Sequence, residues 1–230
     1  MASKSAVTHL TNNKQVTQKL GDLAYAKVLE ALFSREIKPG SFMSQAALVE
    51  MLNVPIQPLR DALRVLETEG VLSVHPRSGI EFLKPDLEFA RSTYQFRAII
   101  ERSAARHCAT AGDAAYFEQL TIEHQDIIKR IESGDFSDEV QELVEELEEK
   151  LHDGMLNTLK NPLVLVTARR LKNYVRLIRL ERLATPPLIL QSMREHLVIL
   201  NAITARDESG AEAALAAHFQ ASLQRVLGAF

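Results

Sequence analysis

Cysteine occurs once in the 230 residues, as Cys108, and tryptophan not at all. A lone thiol cannot close an internal disulfide, so no cystine framework holds this fold together. No apolar run of about 18 residues occurs, and there is no secretory signal pattern; a membrane-spanning or exported chain is therefore not expected, and the cytoplasm is the expected location. Internal repeats and low-complexity tracts are missing as well. Nor is there a strong excess of charge of either sign, since the net value is -3. What is present is ordinary for a globular protein, 46% apolar and 25% charged residues, on a chain long enough to bury most of its unfolded surface. The small net charge hides an asymmetry. Residues 1 to 84 carry 10 Lys+Arg against 8 Asp+Glu, and residues 85 to 230 carry 17 against 22. A slightly basic first part and an acidic second part suit a polyanion partner for the first alone.

Polar residues fill the first dozen positions. From about Val16 to Ile37, Leu20, Leu23, Val28, Leu29, Leu32 and Phe33 recur at helical spacing, and Lys38-Pro39-Gly40 should stop that helix. Ser44 is a candidate N-cap for a short helix through Leu52. A turn at Asn53-Val54-Pro55-Ile56 leads to a second helix from Gln57-Pro58, ending at Gly70. The period then changes: residues 71 to 75 and 80 to 83 read as two short strands joined by Pro76-Arg77-Ser78-Gly79. Helix, helix, turn, helix and a two-stranded ribbon is the order of a winged helix-turn-helix. Beyond Lys84-Pro85-Asp86 the pattern is helical throughout, at roughly 87 to 110, 113 to 133, 138 to 159, 162 to 183, 189 to 205 and 210 to 228. The expected fold is therefore mainly α, a winged helix-turn-helix domain over 1–84 followed by an antiparallel six-helix bundle over 85–230.

Gln57, Arg60, Asp61 and Arg64 occupy the first turns of the second motif helix, the end that such proteins insert into a major groove. Gln57 suits an adenine edge, and Arg60 a guanine or a phosphate. Ser44, Arg64 and the wing residues Arg77, Ser78 and Gly79 complete the candidate DNA contacts. The stretch "MSQAALVEMLNVPIQPLRDALRVLETEGVLSVHPRSGIEFL" resembles the DNA-binding domain of the GntR family of bacterial transcription regulators. The helical remainder of the chain is similar to the effector domain, FCD, of the FadR subfamily. The most specific part is "PLRDALRVLETEGVL". The sequence departs from the family at Ala46 and at Pro55-Ile56-Gln57, where two customary DNA-contacting arginines are missing. The resemblance thus implies operator binding with an altered sequence preference.

Glu148 and His152 are four residues apart and share one helix face with Met155 and Leu159. His196 lies 11 residues before Asp207 and His218 lies 11 after it. In a helix pair turning at Asp207, the two stand at equal height on apolar stripes. Three inward imidazoles and a carboxylate call for a common partner, because unpaired polar groups in a core are costly. The metal-binding subset of FCD domains has an aspartate four residues before a histidine, then two later histidines; this chain departs in having glutamate at 148, whose extra methylene alters the reach of that ligand or makes it optional. The resemblance therefore implies a divalent metal on Glu148, His152, His196 and His218. Ligand type alone does not choose among zinc, nickel, manganese and iron, and zinc is put first. Open positions on the ion would take a small organic or sugar acid. Arg97 is the candidate clamp for its carboxylate, with Asn161, Asn173, Tyr174 and Arg176 as further pocket candidates. His107 and His124 read as structural or exposed.

The leading expectation is a ligand-responsive regulator, a homodimeric repressor on a palindromic operator and not an enzyme. A helical-bundle metalloenzyme with an appended DNA-binding domain is the alternative, and a dimerising scaffold with an empty pocket a third possibility. No general base or nucleophile constellation accompanies the histidines, which counts against the enzyme.

Overall fold

The computed structural model describes residues 19–180 and 185–228. The chain separates between Pro85 and Asp86 into two compact units.

In the first unit, α1 covers residues 19–33 and buries Ala24, Val28, Leu29, Ala31 and Leu32. Residues 16–18 of the expected helix lie outside the described residues. The helix ends earlier than Lys38-Pro39-Gly40 suggests. Arg35 takes a left-handed φ of 65°, and the Ile37 amide donates back to Ala31 O at 2.9 Å, so the chain has already turned. Leu20 and Leu23, counted with the apolar stripe, are exposed.

A strand β1 (Phe42–Met43) precedes α2 (Gln45–Leu52), whose N-cap is Ser44: its hydroxyl accepts from the Ala47 amide at 3.1 Å. Helix α3 (Ile56–Thr68) comes after a left-handed Asn53. Pro58 lacks an amide hydrogen but sits in the first turn of α3, where that donor has no helical acceptor. Leu59, Ala62, Leu63 and Leu66 are buried on one face of α3, which leaves its polar face outward. After Gly70, with φ 74°, come β2 (Leu72–His75) and β3 (Gly79–Phe82), paired antiparallel with Leu72 opposite Phe82 and His75 opposite Gly79. Strand β1 joins the other edge of β3, giving the order β1-β3-β2. A third strand of two residues is too short for an alternating pattern to announce. Its packing explains Gly79: with φ 125°, a Cβ there would stand 2.7 Å from Met43 O.

The described residues of the second unit form six helices: α4 (Leu87–Ala111), α5 (Ala114–Glu132), α6 (Asp138–Thr158), α7 (Pro162–Leu180), α8 (Pro186–Thr204) and α9 (Glu208–Leu227). Asp86, Asp113, Ser137 and Asp207 cap α4, α5, α6 and α9 by accepting amide hydrogens of the first turn. Helix α8 starts at Pro186, three residues before the expected 189, because Pro186 and Pro187 initiate the first turn and do not break it. Helix α9 packs on α4 and α8; α5 packs on α8 and α6; α7 packs on α4 and α6. Their shared interior runs from Tyr94 and Phe117 through Leu151 and Met155 to Met193, Leu200 and Leu215. Among the described residues no helix is long and apolar enough to cross a membrane.

Candidate metal centre and nucleic-acid surface

Three histidines from three helices meet in the bundle interior. His152 on α6, His196 on α8 and His218 on α9 are all buried, and one ring nitrogen from each lies within 4.8 Å of the others. His196 and His218 stand with ring centroids 4.7 Å apart, and His152 stands 5.7 Å from each. Each imidazole faces inward because its helix buries the residues around it: Leu151 and Met155, Met193 and Leu200, Leu215 and Ser222.

The hydrogen bonds of these rings are all on one side. His152 Nδ1 meets Glu101 Oε2 at 2.5 Å, and His218 Nδ1 meets Glu195 Oε2 at 2.9 Å. His196 Nδ1 meets His124 Nε2 at 3.2 Å, while His124 Nδ1 meets the carbonyl of Leu120 at 2.7 Å. A carbonyl only accepts, so His124 carries its proton on Nδ1 and accepts on Nε2; His196 therefore donates from Nδ1. The carboxylates of Glu101 and Glu195 likewise accept from Nδ1–H. Every partner thus selects the same tautomer, with the lone pair on Nε2. The Nε2 atoms of His152, His196 and His218 are buried and have no hydrogen-bond partner among the described residues. Burying such an acceptor unpaired costs about 1–3 kcal/mol each, and a metal ion is the partner that satisfies three converging lone pairs together.

The carboxylates behind the rings are held ionised. Burial alone would raise the Glu101 pKa, but Arg97 and His152 outweigh it and bring it to about 2. Burial is likewise overcome at Glu195, where Arg225 and His218 bring the carboxyl to about 2. Arg225 grips Glu195 with two bonds of 2.6 and 2.7 Å. Burial lowers His196 well below the ordinary histidine value and lowers His218 too, so both rings are neutral near pH 7. Neutral imidazole is the form that ligates.

Glu148 stands at the edge of this cluster, with Oε1 3.5 Å from His196 Nε2. Its oxygens are engaged elsewhere: Arg179 donates to Oε2 at 2.7 Å and Ser192 to Oε1 at 2.9 Å. Burial raises its pKa, and Arg179 with the histidines reverses this and pulls it well down. Arg97 is buried, bonded to Glu101 at 2.7 Å and lying over the Phe219 ring at 4.7 Å. Asn173 and Tyr174 are buried on α7, Tyr174 accepting from Arg170 Nε at 2.6 Å. Asn161 is exposed and caps α7 through bonds from the Leu163 and Val164 amides; Arg176 is also exposed.

Sequence reasoning did not find Glu101, Glu195 or the wiring of His124. His124 is fully buried, not exposed, on the stripe of Phe117, Leu120, Ile127 and Ile131. Its spacing with Leu120 and Ile131 was the available signal. Arg97 and Glu101, four apart, were also a legible pair.

In the first unit, Gln57, Arg60 and Arg64 are exposed on α3, and Arg77 and Ser78 are exposed at the wing tip. Asp61 ties this surface together, accepting from Gln57 Nε2 at 3.2 Å and from Arg64 at 3.4 Å. Arg60 donates from Nε to Gln45 Oε1 at 3.1 Å. Ser44 is exposed beside them with its hydroxyl used as the α2 cap.

These two units correspond to two family models. Residues 20–82 match the gntR family of bacterial regulatory proteins, and residues 92–221 match the FCD domain. The chain belongs to the GntR family and carries an FCD domain. It is 27% identical over 195 residues to the Nta operon transcriptional regulator of Aminobacter aminovorans, covering 84% of this chain and 88% of the relative. It is 26% identical over 219 residues to the HTH-type transcriptional repressor RspR of Escherichia coli K12, covering 93% and 90%. Solved structures agree on the fold: McbR/YncC of E. coli superposes with a TM-score of 0.68 at 20% identity over 92% of this chain and 97% of that one. A GntR regulator from Rhodococcus sp. RHA1 gives 0.71 at 16% identity over 94% and 99%. This GntR-family chain is thus a transcriptional regulator and not an enzyme, which removes the metalloenzyme alternative.

Proposed function

We propose that this regulator senses a small organic or sugar acid through a divalent metal held by His152, His196 and His218, and passes the signal to operator DNA. The observation that carries the proposal is the convergence of three buried, unpartnered Nε2 atoms whose Nδ1 sides are all occupied. A mixed nitrogen and oxygen site suits zinc first, then nickel, manganese or iron. Glu148 is the fourth candidate ligand; to bind, its Oε1 would exchange Ser192 for the ion while Arg179 keeps Oε2.

The charges around the site indicate the effector class. Glu101 is balanced by Arg97, Glu195 by Arg225 and Glu148 by Arg179. His196 and His218 add no charge near pH 7. A bound dication would add uncompensated positive charge in a buried place, which favours an anionic co-ligand. When bound, the ion supplies open positions that a carboxylate or hydroxy acid fills. Arg97 is the candidate clamp: a carboxylate drawing its guanidinium from Glu101 would loosen the bond that orients His152. Asn173 and Tyr174, buried on α7, are the candidates for the rest of the pocket. Asn161 and Arg176 are exposed and serve at most at its mouth.

The output is DNA binding through α3 and the wing. Gln57, Arg60, Arg64, Arg77, Ser78 and Gly79 are the proposed contacts, with Ser44 setting the α2 terminus. A homodimer on a palindromic operator, acting as a repressor in the cytoplasm, is the mode we infer. The repressor RspR, similar over most of its length, supports the sign of regulation. An effector acts in such a dimer by biasing helix positions that set the half-site spacing.

Elemental analysis and chelator competition on the purified full chain test the site. One ion per chain is expected, and none in His196→Ala or His218→Ala, with DNA affinity of the metal-free forms within about twofold of each other. Stoichiometric metal in the double variant would overturn the site.

A further inference from the structure

The end of α3 that enters the groove carries an exposed apolar residue. Ile56 opens the helix with 42% of its surface in solvent, next to exposed Gln57 and one turn before exposed Arg60. Its neighbours Pro58, Leu59, Ala62 and Leu63 are buried against the domain, so Ile56 is the large aliphatic side chain that the first two turns of α3 leave uncovered. An aliphatic group at a groove-facing helix terminus costs hydration and makes no phosphate contact. One feature of the major-groove floor matches it, the 5-methyl group of thymine.

Gln57 is set up to read the same kind of base pair. Its Nε2 donates one hydrogen to Asp61 Oδ1 at 3.2 Å, which holds the amide plane; among the described residues the second hydrogen and Oε1 meet no partner. A free N–H beside a free carbonyl oxygen is the pattern complementary to adenine N7 and N6. The same Asp61 Oδ1 also accepts from Arg64 at 3.4 Å, so one carboxylate oxygen anchors both side chains on this face of α3. We propose that Ile56 is a specificity-determining residue that packs on a thymine methyl beside the adenine read by Gln57, so that this regulator selects an A·T-containing step where an arginine would select guanine.

The inference rests on the placement of α3 in the major groove, and the test separates the two. Binding sites are selected from a random duplex pool with the full-length protein. Each thymine of the selected site is then replaced singly by uracil, which removes the methyl and keeps every hydrogen-bonding edge. One thymine per half-site should lose about three- to fivefold in affinity, the factor expected for burying a methyl-sized group. Ile56→Ala should bind thymine and uracil duplexes equally, and Ile56→Val should keep most of the preference. Salt dependence should not change, because no phosphate contact is lost. Uracil tolerated at every position, or a thymine preference that survives in Ile56→Ala, would overturn the inference. Gln57→Ala reports on the placement: if it shifts base preference at one position while uracil is tolerated throughout, α3 lies in the groove and only the methyl contact fails.

Discussion

The two units of this chain keep their polar chemistry in opposite states. On α3 the groups that would do the work are exposed and loosely joined: Gln57 and Arg64 reach Asp61 at 3.2 and 3.4 Å, and Arg64 has 75% of its side chain in solvent. In the bundle they are buried and tightly joined, with Arg97 and Glu101 only 7% and 5% exposed and 2.7 Å apart. Exposed pairs are screened and worth about 0–1 kcal/mol, whereas breaking a buried pair strands a charge. The arginines of a DNA-reading surface must be free to turn to phosphates and base edges, so weak internal bonds suit them. The proposed metal site has to hold its imidazoles in one tautomer before an ion could bind, so strong ones suit it there. Function and stability are consequently separable in the first unit and entangled in the second.

The sharpest way to break that contrast is a matched pair of substitutions. Glu101→Ala leaves Arg97 buried without its carboxylate and should cost about 3–5 kcal/mol of bundle stability in urea unfolding monitored by circular dichroism. Asp61→Ala, which also removes one acidic partner of an arginine, should change stability by less than about 0.5 kcal/mol. Equal losses in the two variants would mean that burial does not distinguish the units.

A smaller effect is expected behind His196. His124→Phe keeps the buried volume near α5 and α8 but removes the acceptor of the His196 Nδ1 hydrogen. His196 then exchanges between tautomers, and zinc affinity should fall about 10- to 100-fold, the usual consequence of losing an orienting partner of a ligand. Chelator competition measures the affinity, and nitrogen-15 shifts of the His196 ring report the tautomer. Zinc bound within twofold of wild type, with the tautomer unchanged, would assign His124 to packing alone.

Legibility in the sequence divides along a similar line. Helical periodicity reveals both units, and counting from Asp207 puts His196 and His218 at one height, where their rings stand 4.7 Å apart. Local patterns suffice there because the geometry of a helix hairpin is set by spacing along the chain. The orienting groups stay hidden because each comes from a different helix: Glu101 meets His152 across 51 positions and His124 meets His196 across 72. No local pattern marks such a pair. For the same reason Glu148 reads in sequence as a metal-ligand candidate on the His152 face, whereas Arg179 and Ser192, 31 and 44 positions away, donate to its oxygens. Strand β1 escapes for want of length, and α8 starts early because two prolines that read as a break can equally open a helix.

The finest test of the contrast is a slope against pH. Burial holds His196, His218 and His124 below the ordinary histidine value in the folded protein, while in the unfolded chain each takes a proton near about 6.5. Below about pH 7 the unfolded state therefore binds more protons, so the metal-free bundle loses stability as pH falls through that region. A second loss should begin as pH drops past the ordinary glutamate value of 4.5 and continue toward about 2, as Glu101 and Glu195 are forced to protonate. Thermal melts of metal-free protein at pH 7.5 and 5.5 should show the first decline, and His196→Phe should flatten it. Adding zinc should raise the midpoint more at pH 7.5 than at 5.5, because protons and the ion compete for the same Nε2 lone pairs. A midpoint independent of pH between 7.5 and 5.5 would mean the three rings are as solvated as the side chains of α3, and the difference between the two units would be one of position only.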